Sequence, residues 1–400
     1  MFLLTAGICA SGQLMAQMLL NASTPGTAIR IFNTDMAVFE AGEKRKDLPC
    51  DVVPDKPQLG FDLRFHTGYE IVLPLRDLAG EENLLTVLFR VTQQGQTSSP
   101  IYFTQRIKVP PIDDDARGEA YMFGSFDVGE GKYHVDWLMR DRTERVCSSD
   151  WDFEASVPAR DKPMELAMAA GMIQPADREQ FKDEPPVVRT ADESLSVKML
   201  INFAPQKSDS ATMQPIDTAA LISILRGIAR DPRVGKFSVV AFNLQEQRVL
   251  FRQENAEKID FPALGEAVSS VKPGVVDLQR LGQKKGEVTF LSDLIRTELS
   301  CNDQPDAVVF AGPKALLDDK VPQESLKDIS LPASPVFYMN YNLYPQQVPW
   351  TDAIGKAVKY FNGYEYTISR PRDLWFAVNE VVTRIVKLKH GRHAPTSSSE

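Results

Sequence analysis

The side chains of this 400-residue chain with the most evident chemical capacity are four histidines, four cysteines and one run of three aspartates. His66, His134, His390 and His393 are scattered, and neither His66 nor His134 has an acidic or cysteine partner at a known motif spacing. Imidazole acid–base catalysis needs a positioned partner, so this pattern leaves it unsupported. Asp113-Asp114-Asp115 follows Pro110-Pro111 and offers the oxygens that calcium takes. It lacks the regular ligand spacing of a calcium loop, and it reads as a solvated acidic turn. Gly124-Ser125-Phe126-Asp127-Val128-Gly129 is not the Gly-x-Ser-x-Gly elbow, which needs a strand-to-helix turn. Gly282-Gln283-Lys284-Lys285-Gly286 lacks the Gly-Lys-Ser/Thr ending of a phosphate-cradling loop. No catalytic residue and no cofactor are expected from these patterns.

The cysteines are Cys9, Cys50, Cys147 and Cys301, and their spacing excludes a Cys-x-x-Cys zinc or redox motif. Cys50 and Cys147 bracket one candidate domain, where they form either a disulfide or plain buried thiols; a disulfide requires an oxidising compartment. The stretch Phe2 to Leu20 is apolar and charge-free, interrupted by Gly7, Ser11, Gly12, Gln13 and Gln17. It resembles the apolar region of a secretory signal, with Ala16-Gln17 as the cut, so residues 1–22 are a candidate signal peptide. The expected location is then outside the cytoplasm, periplasmic, outer-surface or secreted. No positive residue precedes the stretch, and an ordinary buried segment is the other reading.

Composition bounds the rest. A length of 400 residues favours two or three domains, and 43% hydrophobic with 25% charged residues is ordinary for a folded chain. With a net charge of −9 and a pI near 5.2, the chain has no basic stripe to displace counterions from phosphates, so nucleic acid is excluded as a partner.

The elements that must position any site follow from periodicity. Residues 28–156 carry short strands separated by turns, including Leu84 to Val91, Ile101 to Val109, Tyr121 to Val128 and Tyr133 to Met139. Gly129-Glu130-Gly131 predicts a hairpin between the last two, since glycine supplies the positive φ of a tight turn. Such spacing predicts an immunoglobulin-like sandwich. Residues 157–194, rich in proline and charge, read as a connector. Residues 195–388 alternate continuous apolar runs, such as Leu195 to Ala204, with amphipathic helices such as Thr218 to Arg230. That alternation predicts an α/β domain with a mostly parallel, doubly wound sheet. Residues 389–400 read as a disordered polar tail.

The strand Val197 to Phe203, the segment Gly286 to Ile295 and the strand Ala307 to Ala311 together resemble a von Willebrand factor type A domain. The likeness is to divergent versions in exported bacterial proteins, in which a β-rich module precedes the domain. The resemblance implies a divalent-metal site at the carboxyl ends of the strands. On this chain Asn202, Ala204 and Gln206 stand where the family has Asp, Ser and Ser. Thr289 matches the family's Thr, and Gly312 stands where a later Asp belongs. One hydroxyl and neutral amides cannot replace two carboxylates around a hard cation, so a degenerate site without metal is expected.

The loop Tyr341 to Trp350 is the best surface candidate for touching a partner, through Tyr341, Tyr344 and Trp350, because α/β domains place function on loops at the sheet's carboxyl edge. The sequence therefore suggests a non-catalytic module that binds or scaffolds a protein whose identity it does not reveal. The alternative is an α/β enzyme with an unrecognised site at that edge. Its mark would be a deep pocket holding at least two strongly shifted titratable groups.

Overall fold

Alternation of apolar and polar residues builds the first part of the chain, and continuous apolar runs build the second. The computed structural model describes residues 18–19, 33–42, 44–95, 99–177, 179–190, 194–206, 210, 212–270, 286–300, 304–315, 334–343 and 352–393. The chain divides into two units, Met1–Arg178 and Glu179–Glu400. The expected signal segment falls almost wholly outside the described residues.

In the first unit the strands are β1 (Met18–Leu19), β2 (Asp51–Pro54), β3 (Gln58–Leu59), β4 (Phe65–Pro74), β5 (Asn83–Gln93), β6 (Ile101–Val109), β7 (Glu119–Val128), β8 (Gly131–Arg140), β9 (Val146–Ala155) and β10 (Ile173–Pro175). One sheet runs β1-β6-β5-β8-β9; the other runs β10-β7-β4-β2, with β3 also paired to β4. Every pairing in both is antiparallel. Their facing sides meet in an aromatic layer. Tyr69 of β4 lies edge-on to Phe89 of β5 and Trp137 of β8, with ring centres 5.4 and 5.6 Å apart. Phe126 of β7 sits 5.5 Å from Phe89 and 5.9 Å from Phe103. All of these rings are fully buried.

Two expectations for this unit are corrected. β7 and β8 do not form a hairpin: β7 pairs with β4 and β10, whereas β8 pairs with β5 and β9. Gly129 to Gly131 instead carries the chain from one sheet to the other. A Cβ at Gly129 would collide with the Ala169 carbonyl, so the glycine is needed for close approach rather than for a turn. The second correction is α1 (Asn33–Ala41), a helix with weak periodicity that the pattern did not announce. Its Phe39 packs with Leu88, Leu138 and Val146 on the outer side of β5, β8 and β9. This explains why Leu138, on the mixed face of its strand, is apolar.

Cys50 and Cys147 are joined in a disulfide, with Cα atoms 6.2 Å apart and 97 residues of sequence separation. It holds the segment just before β2 against the start of β9, where Leu48 N–H donates to the Val146 carbonyl and Ser148 N–H donates to the Arg45 carbonyl. Residues 157–194, expected as a connector, are shared between the units. In the first unit Met164, Met168 and Ile173 are buried, and β10 pairs with β7.

The second unit contains β11 (Leu195–Asn202), β12 (Val234–Asn243), β13 (Arg248–Ala256), β14 (Ala307–Pro313), β15 (Val336–Tyr341) and β16 (Tyr364–Ile368). Its helices are α2 (Pro215–Ala229), α3 (Phe261–Ser269), α4 (Gly286–Ser300), α5 (Ala353–Tyr360) and α6 (Pro371–His393). The strand order is β13-β12-β11-β14-β15-β16. The β12–β13 pair is antiparallel, and the other four pairs are parallel. Leu200, Phe242, Leu291, Ile295, Phe310, Tyr338 and Val358 share one core cluster. Helix α6 runs on to His393, past the residue 388 boundary expected for the domain.

The expected fold class, a doubly wound parallel α/β protein of type A form, is overturned by the strand pairing among the described residues. Nine of the thirteen pairings are antiparallel, two sheets are antiparallel throughout, and the third carries an antiparallel edge. The described residues form a mostly antiparallel β protein with few helices. Apolar runs mark which strands are buried, but strand direction depends on how the chain crosses between partners, and periodicity carries no record of that.

Reducing the disulfide, or replacing both Cys50 and Cys147 by Ser, frees a loop of roughly 100 residues in the unfolded chain and is expected to cost about 2–5 kcal/mol. Denaturant unfolding of the first unit with and without reductant checks this. An unchanged midpoint would mean that the bond contributes nothing.

Candidate interaction surface

Strand alternation sends every second side chain of β2, β4 and β7 away from the aromatic layer. On β7 these include Tyr121 and Phe123, and on β2 Val53; they are 55%, 49% and 52% exposed. Register sets them on one face with β4 between, since Phe123 is opposite Glu70, which is opposite Val53, and Tyr121 is opposite Val72, which is opposite Asp51. The Tyr121 hydroxyl donates to Glu119 Oε2 at 2.7 Å. That acceptor raises the phenol pKa. Tyr121 and Glu119 also border an open pocket of about 820 Å³, whose other walls include Arg76, Asp114, Asp115 and Arg117. The Asp113–Asp115 run thus forms an exposed turn on the pocket rim, with Ala116 N–H donating to the Asp113 carbonyl at 3.0 Å.

His66 and His134, expected to lack partners at motif spacing, both have carboxylate partners in the fold. His66 and Asp127 are directly opposite across β4 and β7. His66 Nδ1 lies 2.7 Å from Asp127 Oδ1, and Nε2 lies 2.9 Å from Asp62 Oδ1. Two carboxylates on two ring nitrogens hold the ring as an imidazolium donating to both. Burial works against that charge, but the bonds to Asp127 and Asp62 outweigh it and push the pKa up to about 10. Arg64 Nη1 adds a second cation 3.8 Å from the fully buried Asp127. His134 is held more loosely, 2.7 Å from Asp152 and 3.3 Å from Asp136. Neither ring keeps a free nitrogen, which argues for a structural role. Asp62 stands four residues before His66, a local signal open to sequence reading; Asp127, 61 residues away, is found only through sheet register.

At the carboxyl ends of β11, β12, β14 and β15 the expected metal-loop positions clamp backbone instead. Asn202 is buried and its Oδ1 accepts from Leu244 N–H at 3.1 Å. Gln206 donates to Asn342 Oδ1 at 3.0 Å and accepts from Leu343 N–H at 2.9 Å. A Cβ at Gly312 would sit 2.8 Å from Asn202 Cβ, leaving no room for an acid there. Ala204 is buried, and Thr289 lies exposed on α4. Among the described residues no three His, Cys, Asp or Glu side chains gather as a metal site. Tyr341 is fully buried at the end of β15, so it has no surface to offer a partner. Tyr344 and Trp350 lie outside the described residues.

Asp352, which sequence reasoning missed, is the most perturbed acid at this edge. It caps α5, accepting from Ile354 N–H at 3.1 Å and from Ala315 N–H at 3.2 Å. Burial raises its pKa to about 6, backbone donors oppose the shift, and Glu365 adds to it. Tyr338 beside it is fully buried, its phenol is pushed well above 10 chiefly by burial, and it donates to the Pro313 carbonyl at 3.1 Å.

No family model matches the chain, and no curated protein matches it. Among solved structures it is similar to the PilB minor pilin from Streptococcus sanguinis, at 8% identity over 80% of this chain and 90% of that one, with a TM-score of 0.30. It is also similar to a beta-glucuronidase of Bacteroides uniformis, at 9% identity over 78% of this chain and 38% of that one, with a TM-score of 0.19. Overlap this low settles neither fold nor function. The coarse character, a β-rich protein, stands on the strands themselves. No described helix is long and apolar enough to cross a membrane.

Two titrations test these assignments. A histidine pKa raised by folding contributes stability that is complete below its unfolded value near 6.5 and is lost as pH rises through about 10. NMR of His66 should place its midpoint near the upper value, and D127N should lower that midpoint; a wild-type midpoint near 6.5 would refute the clamp. Asp352 has the same sign, in a more acidic window. Its stability contribution is complete below its ordinary value of 3.8 and is lost as pH rises through about 6. In D352N, which keeps a capping side chain, that loss should disappear from unfolding curves of the second unit measured across this range.

Proposed function

We propose that this chain is a non-catalytic recognition or scaffolding module of an exported bacterial protein, which docks a protein partner on the outer face of β2, β4 and β7. The observation that carries the reading is the outward placement of Val53 on β2 and of Tyr121 and Phe123 on β7, the two strands that flank β4, each about half exposed, with Tyr121 bordering an open pocket. Apolar groups gathered on one face and rimmed by charge are typical of interaction sites, and aromatic side chains dominate binding hot spots. Asp51 and Glu119 lie at the edge of this face, and Glu70 sits between Phe123 and Val53.

Export is supported by the apolar, charge-free amino-terminal segment and by the Cys50–Cys147 disulfide, which is stable in an oxidising compartment. The enzyme reading draws on Asp352 and Tyr338, two shifted groups at one sheet edge. Both already do structural work, one as a helix cap and one as a donor to Pro313, so the recognition reading is preferred.

A photo-reactive amino acid placed at position 121 or 123 of the full chain should cross-link a discrete protein in the host's envelope fraction, and the same probe at Val249 of β13 should not. The double variant Y121A/F123A should weaken binding of that protein by about 30-fold or more, a loss of about 2 kcal/mol, with unfolding of the first unit unchanged. Cross-links no different from those at Val249 would end the proposal.

A further inference from the structure

The long edge strand β9 pairs on one side only over most of its length. The antiparallel ladder with β8 runs in unbroken register from Gly131–Ala155 to Arg140–Val146. Ser148 turns its N–H away from β8 to reach the Arg45 carbonyl, at 2.9 Å, and the Val146 carbonyl likewise turns away to accept from Leu48, at 3.1 Å. Residues two apart share an orientation in such a ladder. Asp150, Asp152 and Glu154 therefore also present N–H and C=O to the outer side. Among the described residues no backbone bond reaches those groups. Among the described residues, the chain's own 45–48 segment uses the start of this edge and no other backbone pairs with the rest.

The side chains specify what would fit. Asp150, Asp152 and Glu154 point to the outer face of the sheet and are exposed, while Trp151 and Phe153 point inward and are only half-buried. On the β8 side, this acidic column faces Lys132 (3.8 Å from Glu154) and His134 (2.7 Å from Asp152). Asp136, opposite Asp150, is held by Arg90. On the other side, among the described residues, Lys44 reaches Asp150 at 3.4 Å, and no described cation reaches Asp152 or Glu154 from there. A strand placed there would complete the alternation of charge with a basic column and cover Trp151 and Phe153 with apolar side chains. A second copy of β9 would instead set acid against acid.

We propose that β9 accepts an extended segment of another protein by strand addition over residues 150–154, and that the segment alternates Lys or Arg with apolar residues. This edge belongs to the other sheet from the Tyr121–Phe123 face, so either site can fail its test without deciding the other.

The test uses the full chain with a short blocked peptide alternating Lys and Val, compared with one alternating Glu and Val. The Lys peptide should bind, slow amide exchange at Asp150, Asp152 and Glu154, and weaken with added salt. D152P removes one outward N–H without touching the β8 ladder, as proline permits at a sheet edge, and should reduce affinity at least about tenfold. D150K/E154K, a check that does not depend on tolerating proline, should reverse the preference to the Glu peptide. The proposal is overturned if the Lys peptide leaves those amides unprotected. It is also overturned if a folded D152P binds as wild type, if both peptides bind wild type equally, or if the reversed variant keeps the original preference.

Discussion

One constraint governs the first unit: an aromatic layer must be kept from water between two antiparallel sheets. Tyr69, Phe89, Phe103, Phe126 and Trp137 are each fully buried, and burying such a side chain contributes about 1.5–3 kcal/mol. Edge-to-face and offset pairs among them add roughly 0.5–1.5 kcal/mol each. Because strands alternate, committing one set of residues to this layer commits the other set to the outside. The exposed positions of Tyr121 and Phe123 follow from the inward positions of Met122, Gly124 and Phe126. The acidic outer column of β9 follows in the same way from the inward turn of Trp151 and Phe153.

Polar groups that the fold covers are paired rather than excluded. His66 lies between Asp62 and Asp127, and Asp141 takes bonds from Thr143 and Arg145. The second unit does the same with a buried cation. Lys198 interrupts the apolar run of β11 and meets Glu298 at 2.9 Å, which is also bonded by Arg252 at 2.6 Å. Both cations hold that carboxyl below its ordinary pKa against the opposing effect of burial. Removing one partner from such a group strands a buried charge, typically at about 3–5 kcal/mol. These clusters look chemical in isolation, yet in each the charged groups are paired within the fold.

The carboxyl edge of the third sheet shows how a resemblance can mislead. Asn202, Gln206 and Gly312 stand where a family pattern has metal ligands, and the residues there have other physical work. Neutral amides satisfy the backbone where strands end, and the glycine lets two strands close without collision. Pairing among the described residues is mostly antiparallel, so the expected class does not hold.

Much of the chain was legible from periodicity alone. The strand alternation of β8, the continuous run of β11 and the apolar stripe of α6 are local patterns, set by which side chains prefer to leave water. Tertiary structure decided what local pattern does not encode: that β7 and β8 enter different sheets, that Cys50 meets Cys147 across 97 residues, that His66 meets Asp127, and that Tyr341 is buried. Each depends on register or strand direction between segments distant in sequence. The residues state that a side chain must be covered, and only the assembled sheets determine by what.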